Sequence, residues 1–254
     1  MVVITALWGI VGVATPASAN VATAGDLIKS SSSPAVYYLD SNNVRHPFHH
    51  EREYYTWYSN FSGVKIIPTD EMVGYTLGST VVVRHGSRLV QYVEVLGDGT
   101  WNVSNTPHVY AVSTSGTLHQ IDSAATAVAK YGSNWESMIV PLPNYISANY
   151  TNGAALTSSS TYPSGTLVKT AAASQIYYID GSSRRPVTDA GFTANRFNMS
   201  YVVTAADLSA YADGTSITAL EAAIANPMFG ASVNPPIVGT GLTVALATGN
   251  PGDQ

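Results

Sequence analysis

The densest group of side chains that could bind a metal ion lies at residues 46–51. It contains His46, His49, His50 and Glu51, and imidazole nitrogens and carboxylates are common zinc ligands. Zinc sites in proteins, however, combine their ligands at a few fixed spacings, and this cluster matches none of them. We therefore interpret these residues as polar side chains at the start of a helix. They are kept as weak metal candidates, and no bound metal is predicted.

Calcium is the other ion that the sequence leaves open. Gly97-Asp98-Gly99 and Asp213-Gly214 place carboxylates in tight turns, but neither has the oxygen-rich run of an EF-hand loop. A hairpin turn is the favoured interpretation of residues 97–99. No organic cofactor is predicted, because the glycines sit in turns and not between a strand and a helix, where they would bind phosphate.

The sequence gives no set of residues arranged for catalysis. The chain has no Cys, which excludes thiol chemistry and disulfides. No Ser lies in a nucleophile elbow. Adjacent carboxylates such as Asp70 and Glu71 are not placed across a cleft, as glycoside hydrolysis requires. We therefore predict that the protein is not an enzyme.

Aromatic rings are the remaining candidates, as contacts for a glycan or a protein partner. The chain has 16 Tyr against 5 Phe, and tyrosine keeps a polar hydroxyl at the end of an apolar ring. Trp57 and Trp135 fall in helical regions and are predicted to be core residues. The candidate contact residues are Tyr37, Tyr38, Trp101, Tyr177 and Tyr178.

Composition indicates an exported protein with a polar, uncharged surface. Only 11% of the 254 residues are charged, and the net charge is −5, which argues against a nucleic-acid partner. Residues 2–13 are almost wholly apolar and Ala17-Ser18-Ala19 forms a cleavage site, so we predict a signal peptide at 1–19. No other segment is long and apolar enough to span a membrane. These features predict a bacterial extracellular or cell-surface location.

Three copies of one motif position these candidate residues. The first reads GDLIK at 25–29, VYYLD at 36–40 and RHPF at 45–48; the third reads GTLVK at 165–169, IYYID at 176–180 and RRPV at 184–187. A weaker middle copy begins with GSRLVQ at 86–91 and continues with VYAV at 109–112 and LHQI at 118–121. It is the most divergent copy, with an insertion around residues 97–101. Such repetition is typical of structural or binding arrays.

Each copy predicts a few short strands, a hairpin turn and one short helix, so the fold class is β-dominated α+β with three tandem modules. Helices are predicted at 51–58, 122–132 and 189–197, and Thr69 and Thr204 as N-caps of one-turn helices. The predicted boundaries are 1–19 for the signal peptide, 20–84, 85–156 and 164–221 for the modules, 157–163 for a linker, and 222–254 for a linker and a lone strand at 242–246. That strand is expected to lead to a missing domain or to be exchanged between subunits.

These motifs together resemble the N-terminal repeats of S-layer and cell-surface proteins from ultrasmall candidate-phylum bacteria. The resemblance rests on GDLIKS at 25–30, YTWY at 55–58, the middle copy from 109 to 135, and IYYID at 176–180 followed by Arg185-Pro186. It covers about residues 20–250 and implies location and architecture without a defined site. The run at 242–247 would then join the repeats to downstream immunoglobulin-like sandwiches. His49, His50 and His85 depart from the pattern, which weakens a metal site further.

Two functions from different classes remain open. The first is a structural cell-envelope protein, an S-layer-like lattice or filament subunit that assembles as a homo-oligomer through its modules. The alternative is a module that binds cell-wall polysaccharide or another cell surface through exposed Tyr and Trp rings.

Overall fold

The three copies of the motif fold into three β-sheets of the same topology. The computed structural model describes residues 22–86, 88–96, 101–103 and 108–229. Within them each sheet carries a few short helices, which confirms the predicted β-dominated α+β class. The predicted signal peptide, the turn at 97–99 and the strand at 242–246 lie outside the described residues.

The first sheet has the strand order β4-β1-β2-β3-β5. Its strands are β1 (Leu27–Ser30), β2 (Tyr37–Leu39), β3 (Val44–Pro47), β4 (Val64–Ile67) and β5 (Thr76–Leu77). The first three form an antiparallel meander, and β4 and β5 join its two sides in parallel. Helices α1 (Glu51–Trp57) and α2 (Thr69–Gly74) connect the later strands.

The second and third sheets repeat this order. The second consists of β6 (Leu89–Val95), β7 (Trp101–Val103), β8 (Val109–Ser113), β9 (Thr117–Gln120), β10 (Ile139–Pro143) and β11 (Thr151–Asn152), with helix α3 (Ala124–Tyr131). The third consists of β12 (Leu167–Thr170), β13 (Ile176–Asp180), β14 (Ser183–Val187), β15 (Val202–Ala205) and β16 (Ala212–Asp213), with helix α4 (Asp189–Ala194). Their orders are β10-β6-β8-β9-β11 and β15-β12-β13-β14-β16, and β7 is an added strand that pairs with β6. It is the predicted insertion of the middle copy.

The register of the strands aligns the copies residue by residue. Leu27, Leu89 and Leu167 hold one position, since each pairs with the first residue of the parallel fourth strand of its sheet. All three are buried, and burying a leucine contributes about 1.5–3 kcal/mol. Burial of this leucine therefore favours the same register of the first strand in each module.

A glycine at the entry to each sheet shares one conformation and one hydrogen bond. Gly25, Gly86 and Gly165 have φ angles of +92°, +67° and +96°, which favour glycine because a Cβ would be strained there. Each donates its N–H at 2.8 Å to a carbonyl of the module's second strand, and the acceptors are Leu39, Val112 and Ile179. Gly86 and Gly165 also lie against each other, because a Cβ on Gly86 would be 2.0 Å from the Gly165 carbonyl carbon.

The helices differ from the prediction in number and place. The three predicted helices are present as α1, α3 and α4, and Trp57 is buried as expected, whereas Trp135 is half-buried in a 3-10 turn at Trp135–Met138. Thr69 is the first residue of α2 and Pro68 takes the cap position, without a side-chain bond. Thr204 lies in β15, because parallel pairing with β12 holds this segment extended. Both N-cap predictions are wrong, although the one-turn helix predicted after Thr69 is present as α2.

Neighbouring modules share hydrophobic cores. Helix α3 packs on β15, and Ala111 and Ala127 of the second module lie in one buried cluster with Val203 and Leu208 of the third. Helix α1 packs in the corresponding way on β10. The modules therefore form one continuous block.

The segments predicted as linkers are packed into this block. Tyr162 of the predicted linker at 157–163 is buried, and its hydroxyl donates to the Lys130 carbonyl at 2.9 Å. After residue 221 the chain forms a fifth helix, α5 (Ala222–Ala225), whose Ile224 is buried against the third sheet. Met228 then packs against the core of the first module. Apolar side chains in these segments explain the packing, so the interpretation of 157–163 and 222–229 as plain linkers is corrected.

Candidate functional site

The three modules and the C-terminal helix meet around one cavity of about 570 Å³. This volume falls within the roughly 300–1,000 Å³ of ordinary ligand pockets. Its lining comes from Trp57, Ser79 and Thr80 of the first module, Val82, Val83 and His85 of the next segment, residues 114–116 and Asn149 of the second module, Ser164, Tyr178, Asp180 and Arg185 of the third, and residues 223, 224 and 226–229. The cavity exists only because the modules are packed together.

Arg84 holds this junction together beside the cavity. Its side chain is buried and donates to the carbonyls of Asn195 at 2.8 Å and Arg196 at 3.0 Å, at the end of α4. The guanidinium also lies between the rings of Trp57 and Phe197, 5.2 and 5.0 Å from their centroids. Burial, and then the charge of Arg196, lowers the pKa of Arg84 to about 10, so it stays charged at neutral pH.

His85, in the segment that follows the first module, contacts Tyr178 of the third module at the cavity wall. The His85 Nε2 atom lies 3.1 Å from the Tyr178 hydroxyl oxygen. Burial, and then the charge of Arg84, lowers the pKa of His85 to about 4, whereas burial raises the pKa of Tyr178 to about 12. Both side chains are therefore neutral in the physiological range and act as hydrogen-bonding groups.

The charged groups of the cavity belong to the third module. Arg185 is 16% exposed and forms ion pairs with Glu221 at 2.6 Å and with Asp180 at 3.5 Å. Its Nε–H also donates to the Thr215 carbonyl at 2.9 Å. The hydrogen bond to Glu221 raises the pKa of Arg185 above its ordinary value. Asp180 is 56% exposed and faces the cavity.

Arg185 replaces a histidine of the other two copies. His46, His119 and Arg185 pair with Tyr38, Ala111 and Tyr178, which hold equivalent register positions in the second strand of each module. Each donates a hydrogen bond to the loop after the module's last strand, and the acceptors are the carbonyls of Ser79, Ala154 and Thr215. This side chain therefore closes every module, and only in the third does it also line the cavity.

The predicted histidine cluster is divided among structural roles. His46 is buried under its closing loop and its Nε2 lies 3.4 Å from Asp40. The His50 side chain caps α1 by accepting from the Arg52 N–H, and the Glu53 carboxylate accepts from the His50 N–H. His49 contacts Asn149 of the second module at 3.0 Å. Burial lowers the pKa of both His49 and His50.

Glu51, the fourth metal candidate, is an exposed residue in the first turn of α1. Across the described residues, no group of three or more His, Asp or Glu side chains comes together in a way that could hold a metal ion. The weak metal candidates at 46–51 are thus explained by capping and by contacts between modules.

The aromatic candidates separate into buried and accessible rings. Tyr38 and Tyr178 are each 6% exposed and belong to the module cores, so neither ring lies on the outer surface, although Tyr178 also lines the cavity. Alternation along the strand turns them inward, opposite their neighbours. Tyr37 and Tyr177 are half-buried beneath Arg45 and Arg184. Trp101 is 42% exposed and has the Arg52 guanidinium over its ring.

Two further exposed apolar surfaces lie outside the cavity. The groove surface, on the first module, is a depression of about 390 Å³ lined by Lys29, Pro34, Val36, Phe61, Val64 and Ile66. The ribbon surface, on the added strand pair of the second module, consists of Val95, Leu96 and Trp101, which are 40–42% exposed. None of the helices in the described ranges has the length and apolar character needed to cross a membrane.

Sequence reasoning missed Arg84, Asp180, Arg185 and Glu221 as site residues. Arg185 could have been found, because it departs from the His46 and His119 pattern at an aligned position. Arg84 lies outside the repeated motif, and its partners are about 110 residues away in the chain, so no local pattern reveals it. No family model, curated protein or solved structure matches this chain.

Proposed function

We propose that this protein is a structural building block of a bacterial cell envelope, a non-catalytic extracellular subunit that associates into a lattice or filament. The resemblance of its repeats to those of S-layer and cell-surface proteins supports this location. The block formed by the shared cores supports the architecture, because a subunit of an extended assembly must transmit its orientation from one contact to the next.

The observation that carries the proposal is the presence of two unlike apolar surfaces on one block. The groove surface is concave and carries Lys29, whereas the ribbon surface lies on a pair of strands, where Val95 pairs with Trp101. Contacts between unlike surfaces are heterologous, and they extend into rings or filaments instead of closing as two-fold dimers. Exposed apolar side chains at both surfaces favour such a contact between neighbouring copies.

The experiment measures the mass of the purified protein by light scattering over a concentration series, with and without Ca²⁺, together with electron microscopy. We expect ordered sheets or fibres. Ile66→Asp on the groove surface and Leu96→Asp on the ribbon surface should each reduce association, because both side chains are exposed and an added carboxylate would be desolvated in a contact.

Val73→Asp provides the matched control, since Val73 is 70% exposed on α2 and belongs to neither surface. It should assemble like the unmodified protein. A strictly monomeric protein at every concentration would rule out the proposal, and equal loss of assembly in all three variants would rule out these two surfaces.

A further inference from the structure

We propose that the cavity between the modules binds a neutral, hydroxyl-rich ligand, a monosaccharide or disaccharide unit, with the Asp180 carboxylate as its main acceptor. This inference does not depend on the assembly proposal, because the cavity is formed within one chain and excludes the groove and ribbon surfaces. It rests on the freedom of Asp180, on the balance of charge and on the character of the lining.

Asp180 is freed from the role that its counterpart performs in the first module. Asp40 holds the same place after the second strand, and its carboxylate accepts from the N–H groups of Asn42 and Val44 at 2.8 Å each. The other oxygen lies 3.4 Å from His46 Nε2. Every acceptor atom of Asp40 is thus used to close its own hairpin.

The second module uses its counterpart in the same local way, whereas the third does not. Ser113 Oγ lies 2.9 Å from His119 Nε2 within its own hairpin. In the third module the turn is closed by Gly181, with φ +59°, whose N–H donates to Ser164 Oγ at 2.9 Å. Among the described residues the Asp180 carboxylate has only the long contact with Arg185, so it retains acceptor capacity toward the cavity.

The charges of the cavity favour a neutral ligand over an anion. Arg185 is the cation of the lining, and Glu221 at 2.6 Å and Asp180 at 3.5 Å already balance its charge. A phosphate or sulfate would have to displace one of these carboxylates. His85 supplies no positive charge near neutral pH, because its pKa is lowered to about 4 by burial and by Arg84.

The remaining lining combines polar and apolar side chains, and a sugar ring likewise combines hydroxyl groups with apolar C–H faces. Hydroxyl and amide side chains form one part of the wall, namely Ser79, Thr80, Ser115, Asn149, Ser164 and Asn226. Apolar side chains form another, and among them Phe229 is 58% exposed at the rim. Ligand sites commonly combine apolar walls with a few polar groups that fix orientation. A cavity of about 570 Å³ has room for one or two sugar rings.

The test is calorimetric titration of the full chain with cellobiose and with N,N′-diacetylchitobiose, and separately with inorganic phosphate and glucuronic acid as anionic probes. We expect saturable binding of a neutral disaccharide and none of the anions. Asp180→Asn should weaken that binding by about tenfold or more, because hydrogen bonds to a charged acceptor are stronger than those to a neutral amide. Phe229→Ala should weaken it as well.

The matched control is Asp213→Asn, which removes a carboxylate paired with Arg184 in the same module, outside the cavity. It should leave disaccharide affinity unchanged, and the thermal midpoints of both Asp variants should match that of the unmodified chain. Absence of neutral disaccharide binding, preference for the anions, or unchanged affinity in Asp180→Asn would each overturn the proposal.

Retention on insoluble cellulose or chitin, competed by the free disaccharide, would identify the end of a polysaccharide as the source. A monomeric protein that binds cellobiose would remove the assembly proposal alone.

Discussion

The outer face of the first module and the corresponding faces of the second and third share one backbone but differ in side-chain chemistry. Lys65, Val140 and Val203 occupy the same register position on the fourth strand of each sheet. Val203 is buried in a core to which two modules contribute, and Val140 is buried in a strand on which helix α1 of the first module packs, whereas the Lys65 side chain is 39% exposed and paired with Asp26 at 2.6 Å. The repeated backbone forms the module, and the residue at this position differs between the faces covered by another module and the face that is not.

The first module covers its outer face with elements of its own. Met72 of α2 packs on Ile28 and Ile67, and Glu71 accepts from the Ala22 N–H at 2.9 Å. Repeat arrays in general need terminal units with a polar outer face, because an uncovered apolar face would aggregate. Helix α2 and Lys65 serve as such a cap.

The largest expected difference between the first module and the others concerns the entry glycines, because Gly86 lies against the third module whereas Gly25 has no neighbour within 4 Å of its Cβ position. Gly86→Ala should cost more than about 4 kcal/mol of unfolding free energy, because the new Cβ would be 2.0 Å from the Gly165 carbonyl carbon and the modules would have to separate. Gly25→Ala should cost only about 1–2 kcal/mol, since its φ of +92° is strained for alanine but its Cβ would meet no atom within 4 Å. Denaturant unfolding of both variants measures the difference, and equal losses would show that the junction is not tight.

The next largest loss of unfolding free energy is expected when the lysine of the outer face, Lys65, is introduced at the corresponding buried position of the third module, Val203. Val203→Lys should lower the unfolding free energy by about 4 kcal/mol, because a buried ammonium without a partner is strongly unfavourable. The residue that corresponds to Asp26 in the third module is Thr166, which offers no carboxylate. Denaturant titration measures this loss; a loss below 1 kcal/mol would mean that the shared core opens readily.

Much of this arrangement could be predicted from sequence because it is local. The motif with its glycine, strand pair and hairpin turn predicts the meander of every module. The insertion predicted around residues 97–101 of the middle copy is where the added strand β7 begins, although the sequence does not predict the strand itself. The packing of modules on each other could not be predicted in this way. Tyr162 and Ile224 read as parts of polar or Ala-rich linkers, and their burial depends on partners distant in the chain.

The candidate site shows the same limit. Asp40 and Asp180 look identical in the aligned motif, and only the geometry of their turns shows that one carboxylate is used locally while the other is not. The histidines at 46–51 attracted a metal interpretation because they are close in sequence. Helix capping and the closing loop place their side chains on different partners.

A third prediction concerns the inner contact of the first module. Glu53 is fully buried and accepts from the Tyr150 hydroxyl at 2.7 Å, and burial raises its pKa from 4.5 to about 7. Between these two values the folded Glu53 binds a proton that it lacks in the unfolded state, so the contribution of Glu53 to the unfolding free energy falls as pH rises from about 4.5 to about 7. At about 1.4 kcal/mol per unit, the loss is up to about 3 kcal/mol. His85, whose pKa is lowered to about 4, contributes with the opposite sign between that value and its ordinary pKa of 6.5.

Glu53→Gln should remove the Glu53 contribution, because the amide does not titrate. The unfolding free energy of this variant at pH 8, relative to pH 5, should therefore be higher than that of the unmodified chain. Glu51→Gln is the matched control, since Glu51 is exposed on the same helix and should leave the change between pH 5 and pH 8 as it is in the unmodified chain. An equal change between pH 5 and pH 8 in Glu53→Gln and in the unmodified chain would assign the pH dependence to other groups.

The smallest expected effect is that of the reverse exchange, Lys65→Val. The variant loses an ion pair that is partly exposed and therefore worth no more than about 1 kcal/mol, and Asp26 keeps its bonds from Thr23. Unfolding free energy should therefore change by less than about 1 kcal/mol. The outer face, however, would acquire the residue type that the inner faces use. Sedimentation should then show association stronger than in the unmodified protein, and Lys65→Gln, which stays polar, should show none of this gain. If Lys65→Val associates no more strongly than Lys65→Gln, helix α2 is sufficient to prevent another copy from packing on the outer face.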